Sequence, residues 1–315
     1  MQKWIAIVLF GLAFSLDVVH ARSADGEDEV REVRVAGYVP DYRFPEFDVE
    51  SLHGLTDVIL FSAEPNADGS LNMGRLEKVP WESLLAFKTK RRVRLLVSIG
   101  GWERSTHFPE VATREEARKR FVTDILRTAL DKRLDGIDLD WEHPRNAVEE
   151  EAYGHLLADL RRAFAPHGLQ LTVTIGPWQR LPAVAIEAVD AVQLMSYDHD
   201  HEHATTEDAR RDVQAFLDAG IPRRKIILGL PFYGRHVESR EATAYRDLVR
   251  DFSPDPETDR VGQISFNGPK TIRRKFEFAM EAGLGGVMVW ELGQDAAGET
   301  SLLQAIREAV SGRNP

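Results

Sequence analysis

Eight short apolar runs recur along this chain, with helical patterns between them. They lie at 33–39, 57–63, 93–99, 134–142, 169–175, 189–197, 225–232 and 285–291. Several, such as VRLLVSI and KIILGLPF, are continuous rather than alternating, which suits strands buried on both faces of a parallel sheet. Between them, Ala117, Phe121, Ile125 and Ala129 fall on one stripe of a helix predicted over 114–132. Leu156, Leu160 and Phe164 do the same over 148–164. Further helices are predicted over 209–219, 270–282 and 301–310. Eight β/α units predict one α/β domain over 33–315, a (β/α)8 TIM barrel. A doubly wound sheet is the competing architecture. No G-x-G-x-x-G turn follows the first strand and no G-x-x-x-x-G-K-[ST] occurs, so nucleotide binding has no support. The one over-long connection, 236–284 between the seventh and eighth strands, contains loop chemistry at 251–259 and ends in a helix at 269–283. An insertion there is therefore expected to be short or absent.

The chain has 315 residues, 43% of them hydrophobic, and no cysteine. That hydrophobic content is too high for disorder. Without cysteine there is no disulfide scaffold, thiolate metal site or Cys nucleophile. Forty Lys+Arg stand against 51 Asp+Glu, a formal net charge of −11. This argues against broad nucleic-acid binding, which needs a basic face to neutralise phosphates. At the N-terminus, the apolar run 4–16 follows Lys3 and is shorter than the roughly 20 residues that span a bilayer. Val19-His20-Ala21 then supplies small residues at the −3 and −1 positions of a cleavage site. This reads as a secretory signal peptide over 1–21, cut after Ala21 or alternatively after Ala24. Residues 22–32 read as a solvated leader. The expected location is secreted or periplasmic, with no membrane contact after cleavage.

The segment Asp135-Gly136-Ile137-Asp138-Leu139-Asp140-Trp141-Glu142 carries the chemistry. Strand side chains alternate faces, so Asp138, Asp140 and Glu142 share one face and Ile137, Leu139 and Trp141 the other. In a barrel the apolar trio packs outward under the helices. The acids then point inward, with Glu142 at the C-terminal rim where barrel active sites sit. Three acids in a row, roughly 6–7 Å apart by strand rise, raise one another's pKa through desolvation and like charge. A rim glutamic acid kept protonated near neutral pH can act as a general acid. The rival readings are a solvated acidic face and a divalent-cation site. Asp135, of opposite parity, reads as structural.

This segment resembles the D-x-x-D-x-D-x-E signature of glycoside hydrolase family 18, the chitinase family, at every fixed position. Ser98-Ile99-Gly100-Gly101 is similar to its S-x-G-G motif, Met195-Ser196-Tyr197-Asp198 to its M-x-Y-D motif, and Pro231–Arg235 to its stretch after strand seven. Trp290 resembles the floor of its sugar site. The likeness implies a cofactor-free and metal-free retaining hydrolase of N-acetylglucosamine polymers. Glu142 would protonate the glycosidic oxygen, and the substrate's own 2-acetamido oxygen would attack, giving an oxazolinium ion, an exception to the two-carboxylate scheme. Asp140 would orient the acetamido group, Asp138 would share a proton with Asp140, and Tyr197 would hydrogen-bond the same group. Tyr38, Phe61, Met195, Asp198, Tyr233, Arg235 and Trp290 would bind sugar, with Trp102 as a +1 platform.

Gly100 and Gly101 read as positions where a side chain would obstruct backbone approach at the rim. His143 stands where the family often shows an aromatic, and Trp178 where small residues are common, reading as a rim contact. The short seventh connection implies a shallow, open groove and non-processive cleavage. The run Asp198-His199-Asp200-His201-Glu202-His203 has the composition of a zinc or copper site, but reads first as a flexible solvated loop. Besides a chitinase-type hydrolase acting as a monomer, the alternatives are an endo-N-acetylglucosaminidase, a peptidoglycan-directed hydrolase, a metal-dependent deacetylase, and a non-catalytic sugar-binding protein on the same barrel.

Overall fold

The computed structural model describes residues 33–312. The expected signal peptide, 1–21, and leader, 22–32, lie outside the described residues. Eight parallel strands form a closed barrel: β1 (Arg34–Pro40), β2 (Asp57–Pro65), β3 (Arg94–Gly100), β4 (Gly136–Asp140), β5 (Gln170–Ile175), β6 (Ala191–Leu194), β7 (Ile226–Pro231) and β8 (Gly286–Trp290). Each pairs with the next, and β8 returns to β1, which closes the ring and removes both sheet edges. The helices are α1 (Trp81–Arg91), α2 (Phe108–Thr113), α3 (Glu115–Asp131), α4 (Ala147–Phe164), α5 (Ala183–Ala188), α6 (Thr206–Asp218), α7 (Tyr245–Phe252), α8 (Pro269–Glu281) and α9 (Leu302–Ser311). Among the described residues no helix is long and apolar enough to cross a membrane.

The helical stripes explain the outer layer. Phe121 and Ile125 of α3 and Leu156, Leu160 and Phe164 of α4 are fully buried, in one apolar cluster with Ile137, Leu139 and Trp141. Each such side chain contributes about 1.5–3 kcal/mol relative to exposure. Local capping fixes where the helices begin. The Asn146 side chain accepts from the Glu149 N–H at the head of α4, and Thr205 and Asp208 form a reciprocal capping box on α6. A second cluster fills the barrel itself and includes Tyr38, Ile59, Phe61, Leu96 and Met288. Successive residues of β3 therefore serve two cores, Leu95 and Val97 the outer one and Leu96 the inner one, as their alternation requires.

The β7–β8 connection is short but not featureless. It folds into a four-stranded antiparallel sheet (Tyr233–His236, Ala242–Ala244, Arg260–Val261 and Ile264–Ser265) together with α7. An insertion is thus present, small and structured, and it stands at the mouth of the barrel. Strands 134–142 and 189–197 end earlier than their apolar patterns suggest, at Asp140 and Leu194. Beyond those points the chain leaves the sheet to form the mouth.

Candidate active site

Register across the barrel brings polar residues to the inward acids. Ser98 and Gly100 of β3 lie opposite Asp138 and Asp140, and Thr172 of β5 lies opposite Asp138. Asp138 is fully buried and accepts from Tyr38 Oη (2.9 Å), Ser98 Oγ (2.9 Å), Thr172 Oγ1 (2.6 Å), Thr174 Oγ1 (3.1 Å) and Gln193 Nε2 (3.1 Å). Burial still pushes its pKa up against those donors. Asp140 is nearly as buried, yet its Oδ1 has no hydrogen-bond partner. Burial, then the charges of Glu142 and Asp138, push its pKa well above the ordinary carboxylate value.

Glu142 follows at the rim. Its backbone N–H donates to Ser105 Oγ (3.0 Å), which in turn donates to the Asp140 carbonyl (3.1 Å). Ser105 thus ties the strand's end to the loop after β3, a role that nothing in the sequence pattern announces. Burial first, opposed by a hydrogen bond from the Trp102 backbone N–H and aided by the charge of Asp198, pushes the Glu142 pKa up to about 7. The close approach of β3 to β4 requires glycine. At Gly100 (φ +100°) an added Cβ would lie 2.3 Å from the Asp140 carbonyl oxygen. At Gly101 (φ +101°) it would lie 2.3 Å from the Phe61 ring. Asp135, as its parity implied, is structural: it accepts from the Leu95 N–H (2.8 Å) and pairs with Lys88 (2.8 Å).

A cleft of about 470 Å³ opens over these acids. Of the residues predicted from the sequence, Tyr38, Phe61, Trp102, Asp140, Glu142, Met195, Tyr197, Asp198, Tyr233, Arg235 and Trp290 all line it, while Asp138 lies beneath. Tyr38, Phe61 and Trp290 form an aromatic floor, with Trp290 5.5 Å from Tyr38 and 4.8 Å from Phe61 between ring centroids. Tyr197 is accommodated because position 229 is glycine, where a Cβ would meet its ring at 2.9 Å. Trp102 and Trp178 stand at the rim, 69% and 63% exposed, the posture of platforms rather than core residues. Arg235 holds Asp198 through two hydrogen bonds of 2.7 and 2.8 Å. Burial opposes ionisation of Asp198, but this pairing brings its pKa well below the usual carboxylate range. Sequence reasoning missed Thr174, His143, Ala242 and Gln294 as cleft residues, and Thr172 and Gln193 as partners of Asp138.

The histidine-rich run is solvated at Asp200, His201 and Glu202, as expected, but is anchored at His199 and His203. His199 and His203 form an antiparallel bridge. His203 is fully buried, with Nδ1 3.2 Å from the Asp198 N–H and Nε2 3.2 Å from the Tyr233 carbonyl. His199 Nε2 lies 2.9 Å from Asp212 Oδ2. Below them, Lys275 donates to the Ala204 carbonyl and to Asn267 Oδ1, both at 2.8 Å, and its full burial pushes its pKa down to about 7. The partners come from α6, α8 and the β7–β8 sheet, and they convert the run into a wall behind Asp198. Among the described residues no group of three His, Cys, Asp or Glu is arranged to hold a metal ion.

A raised-pKa acid, an unpartnered buried carboxyl and an aromatic floor form a site for protonating and cleaving a bond to a ring-shaped polar substrate. The model of glycosyl hydrolases family 18 matches residues 34–295. Chitinase 1 of Aphanocladium album is 27% identical over 288 residues, spanning 72% of this chain and 68% of that protein. Among solved structures, a chitinase from the chitin utilization locus of Flavobacterium johnsoniae is 25% identical with a TM-score of 0.80, over 90% of this chain and 95% of that one. A family 18 N-acetylglucosaminidase from Paenibacillus barengoltzii is also 25% identical, with a TM-score of 0.75 over 88% and 99%.

Proposed function

The chain belongs to glycosyl hydrolase family 18, and on that premise we propose that it is an exported hydrolase of β-1,4-linked N-acetylglucosamine chains, retaining and substrate-assisted. Glu142 gives its proton to the glycosidic oxygen. The acetamido oxygen of the sugar below attacks the anomeric carbon, forming an oxazolinium ion, and water then opens that ring from the same face with Glu142 as base. The observation that carries this reading is the Asp140 carboxyl, buried at the cleft floor with Oδ1 unpartnered. A buried acceptor of this kind calls for a donor from the ligand, and an acetamido N–H supplies one. A carboxylate nucleophile has less support. Of the three acids lining the cleft, Asp198 is engaged twice by Arg235, Glu142 carries the proton to be donated, and Asp140 is pushed by burial and by the charges of Glu142 and Asp138 toward its neutral form, a poor nucleophile. Activity is expected to fall as pH rises through about 7, where Glu142 loses that proton.

Side-by-side product analysis on chitin oligosaccharides, a high-mannose glycoprotein and peptidoglycan tests the substrate. Release of the β-anomer from the chitin oligosaccharides supports the proposal, and cleavage of only one of the other two would replace it with that reading. The likeness to an N-acetylglucosaminidase keeps short products in play. Non-processive cleavage predicts a broad early ladder, and disaccharide dominance from the first turnovers would count against it. Trp102→Ala should raise KM for long oligosaccharides about tenfold, yet leave Tm unchanged because the side chain is 69% exposed. Export predicts that the mature protein begins at Arg22 or Asp25, as N-terminal sequencing of secreted material would read.

A further inference from the structure

We propose that His143 is a positioning residue for Glu142, locked through Gln179 in the one tautomer that turns a bare nitrogen lone pair toward the Glu142 carboxyl and so retains the donatable proton there. The inference deepens the reading above and rests on Glu142 being the general acid.

Two backbone groups fix the orientation of the Gln179 amide. The Gly176 N–H can only donate, so the atom it meets at 2.8 Å is Oε1. The Trp141 carbonyl can only accept, so the atom it meets at 3.3 Å is Nε2. His143 Nδ1 lies 2.9 Å from that same Oε1 and must therefore carry the hydrogen. In a neutral imidazole the other nitrogen is then an acceptor, and His143 Nε2 sits 3.5 Å from Glu142 Oε2, close enough to tighten into a hydrogen bond when substrate fills the cleft. Burial lowers the His143 pKa and so favours the neutral ring. Trp178 packs against the ring at 5.3 Å with the two planes 71° apart, which limits its rotation. An acceptor facing a carboxyl stabilises its protonated form. The other groups that act on Glu142 are the Trp102 N–H from the loop after β3, Asp140 on β4, and Tyr197 and the Arg235-paired Asp198 from the wall after β6 and β7. His143→Phe touches none of them, whereas Gln179→Leu also removes the partner of the Trp141 carbonyl and the Gly176 N–H.

The test compares wild type, His143→Phe, Gln179→Leu and the double variant by two readouts. One is the pH profile of kcat/KM on the N-acetylglucosamine tetramer. The other is the 13C NMR titration of the Glu142 carboxyl. His143→Phe removes the acceptor. Gln179→Leu frees the ring to present Nε2–H, which favours the carboxylate. Both should move the Glu142 titration and the basic limb to lower pH by about half to one pH unit. The double variant should move them no further than His143→Phe alone. A titration that stays in place or rises in either folded variant overturns the proposal, and Gln179→Leu decides it if His143→Phe fails to fold. A wild type that leaves the tetramer intact sinks the substrate reading instead, while the carboxyl titration still decides this one.

Discussion

Glu142→Gln is expected to lower turnover at least about 10²–10⁴-fold while oligosaccharide binding persists, and at the same time to make the protein more stable at pH 8. Gln keeps the shape and the hydrogen bond from the Trp102 N–H but has no proton to give. The stability gain follows from linkage. In the unfolded chain Glu142 ionises near its ordinary value of 4.5, whereas in the fold burial holds the proton to about 7. Between those values the folded state binds more protons, so stability falls as pH rises, and above 7 the whole penalty is present. It amounts to about 3 kcal/mol, and the variant escapes it. Melting curves should therefore coincide near pH 4 and separate by pH 8, with the variant higher. Near-normal turnover would show that Glu142 is not the acid, and equal melting temperatures at both pH values would show that it is not desolvated.

The barrel was legible because a strand buried on both faces reads as a continuous apolar run, and because α3 and α4 are long enough to repeat their stripe. The helices that escaped notice have physical reasons. α2 and α5 have six residues each and α7 has eight, too short to show a period, while α1 buries only Leu84 and Phe87 of its eleven residues, too few to mark a stripe. The β7–β8 sheet is built of strands of two to four residues, whose pairing is set by the tertiary frame rather than by propensity. The end of β4 was placed too late because the apolar parity continues to Trp141. That ring stacks on Phe108 of α2 at 5.3 Å, and the next backbone N–H turns to Ser105 rather than to a neighbouring strand.

The site was legible to the extent that chemistry follows from residue type and parity on one strand. Asp138, Asp140 and Glu142 could be placed inward before any fold was known. Their partners could not. Thr172, Thr174 and Gln193 reach Asp138 only because β5 and β6 pair in one register, which no local pattern specifies. His203 escaped for the same reason. It stands in a run whose middle is solvated, but the groups that bury it lie 30 or more positions away, on Tyr233 and around Lys275.

Asp138 and Asp140, two residues apart on one strand, should fail in opposite ways. Asp138→Ala is expected to cost about 3–5 kcal/mol of stability. It strips the acceptor from Ser98, Thr172 and Gln193 in a space that water does not reach, while Tyr38 and Thr174 can still bond each other at 2.6 Å. Asp140→Asn removes no protein hydrogen bond at Oδ1, since that atom has none. It also relieves a buried carboxyl whose pKa burial and two neighbouring acids hold well above its ordinary value. Its folded pKa lies above its unfolded one, so the native acid lowers stability at neutral pH, and the Asn variant should melt at the same temperature or higher at pH 7. Turnover should nonetheless fall by about 10²–10³-fold, the usual scale for losing one group that stabilises developing charge. Thermal melts at pH 7 paired with kcat on chitin oligosaccharides separate the two. If Asp140→Asn proved the less stable protein, its carboxyl would have a structural partner after all, and the case for an acetamido donor would fall with it.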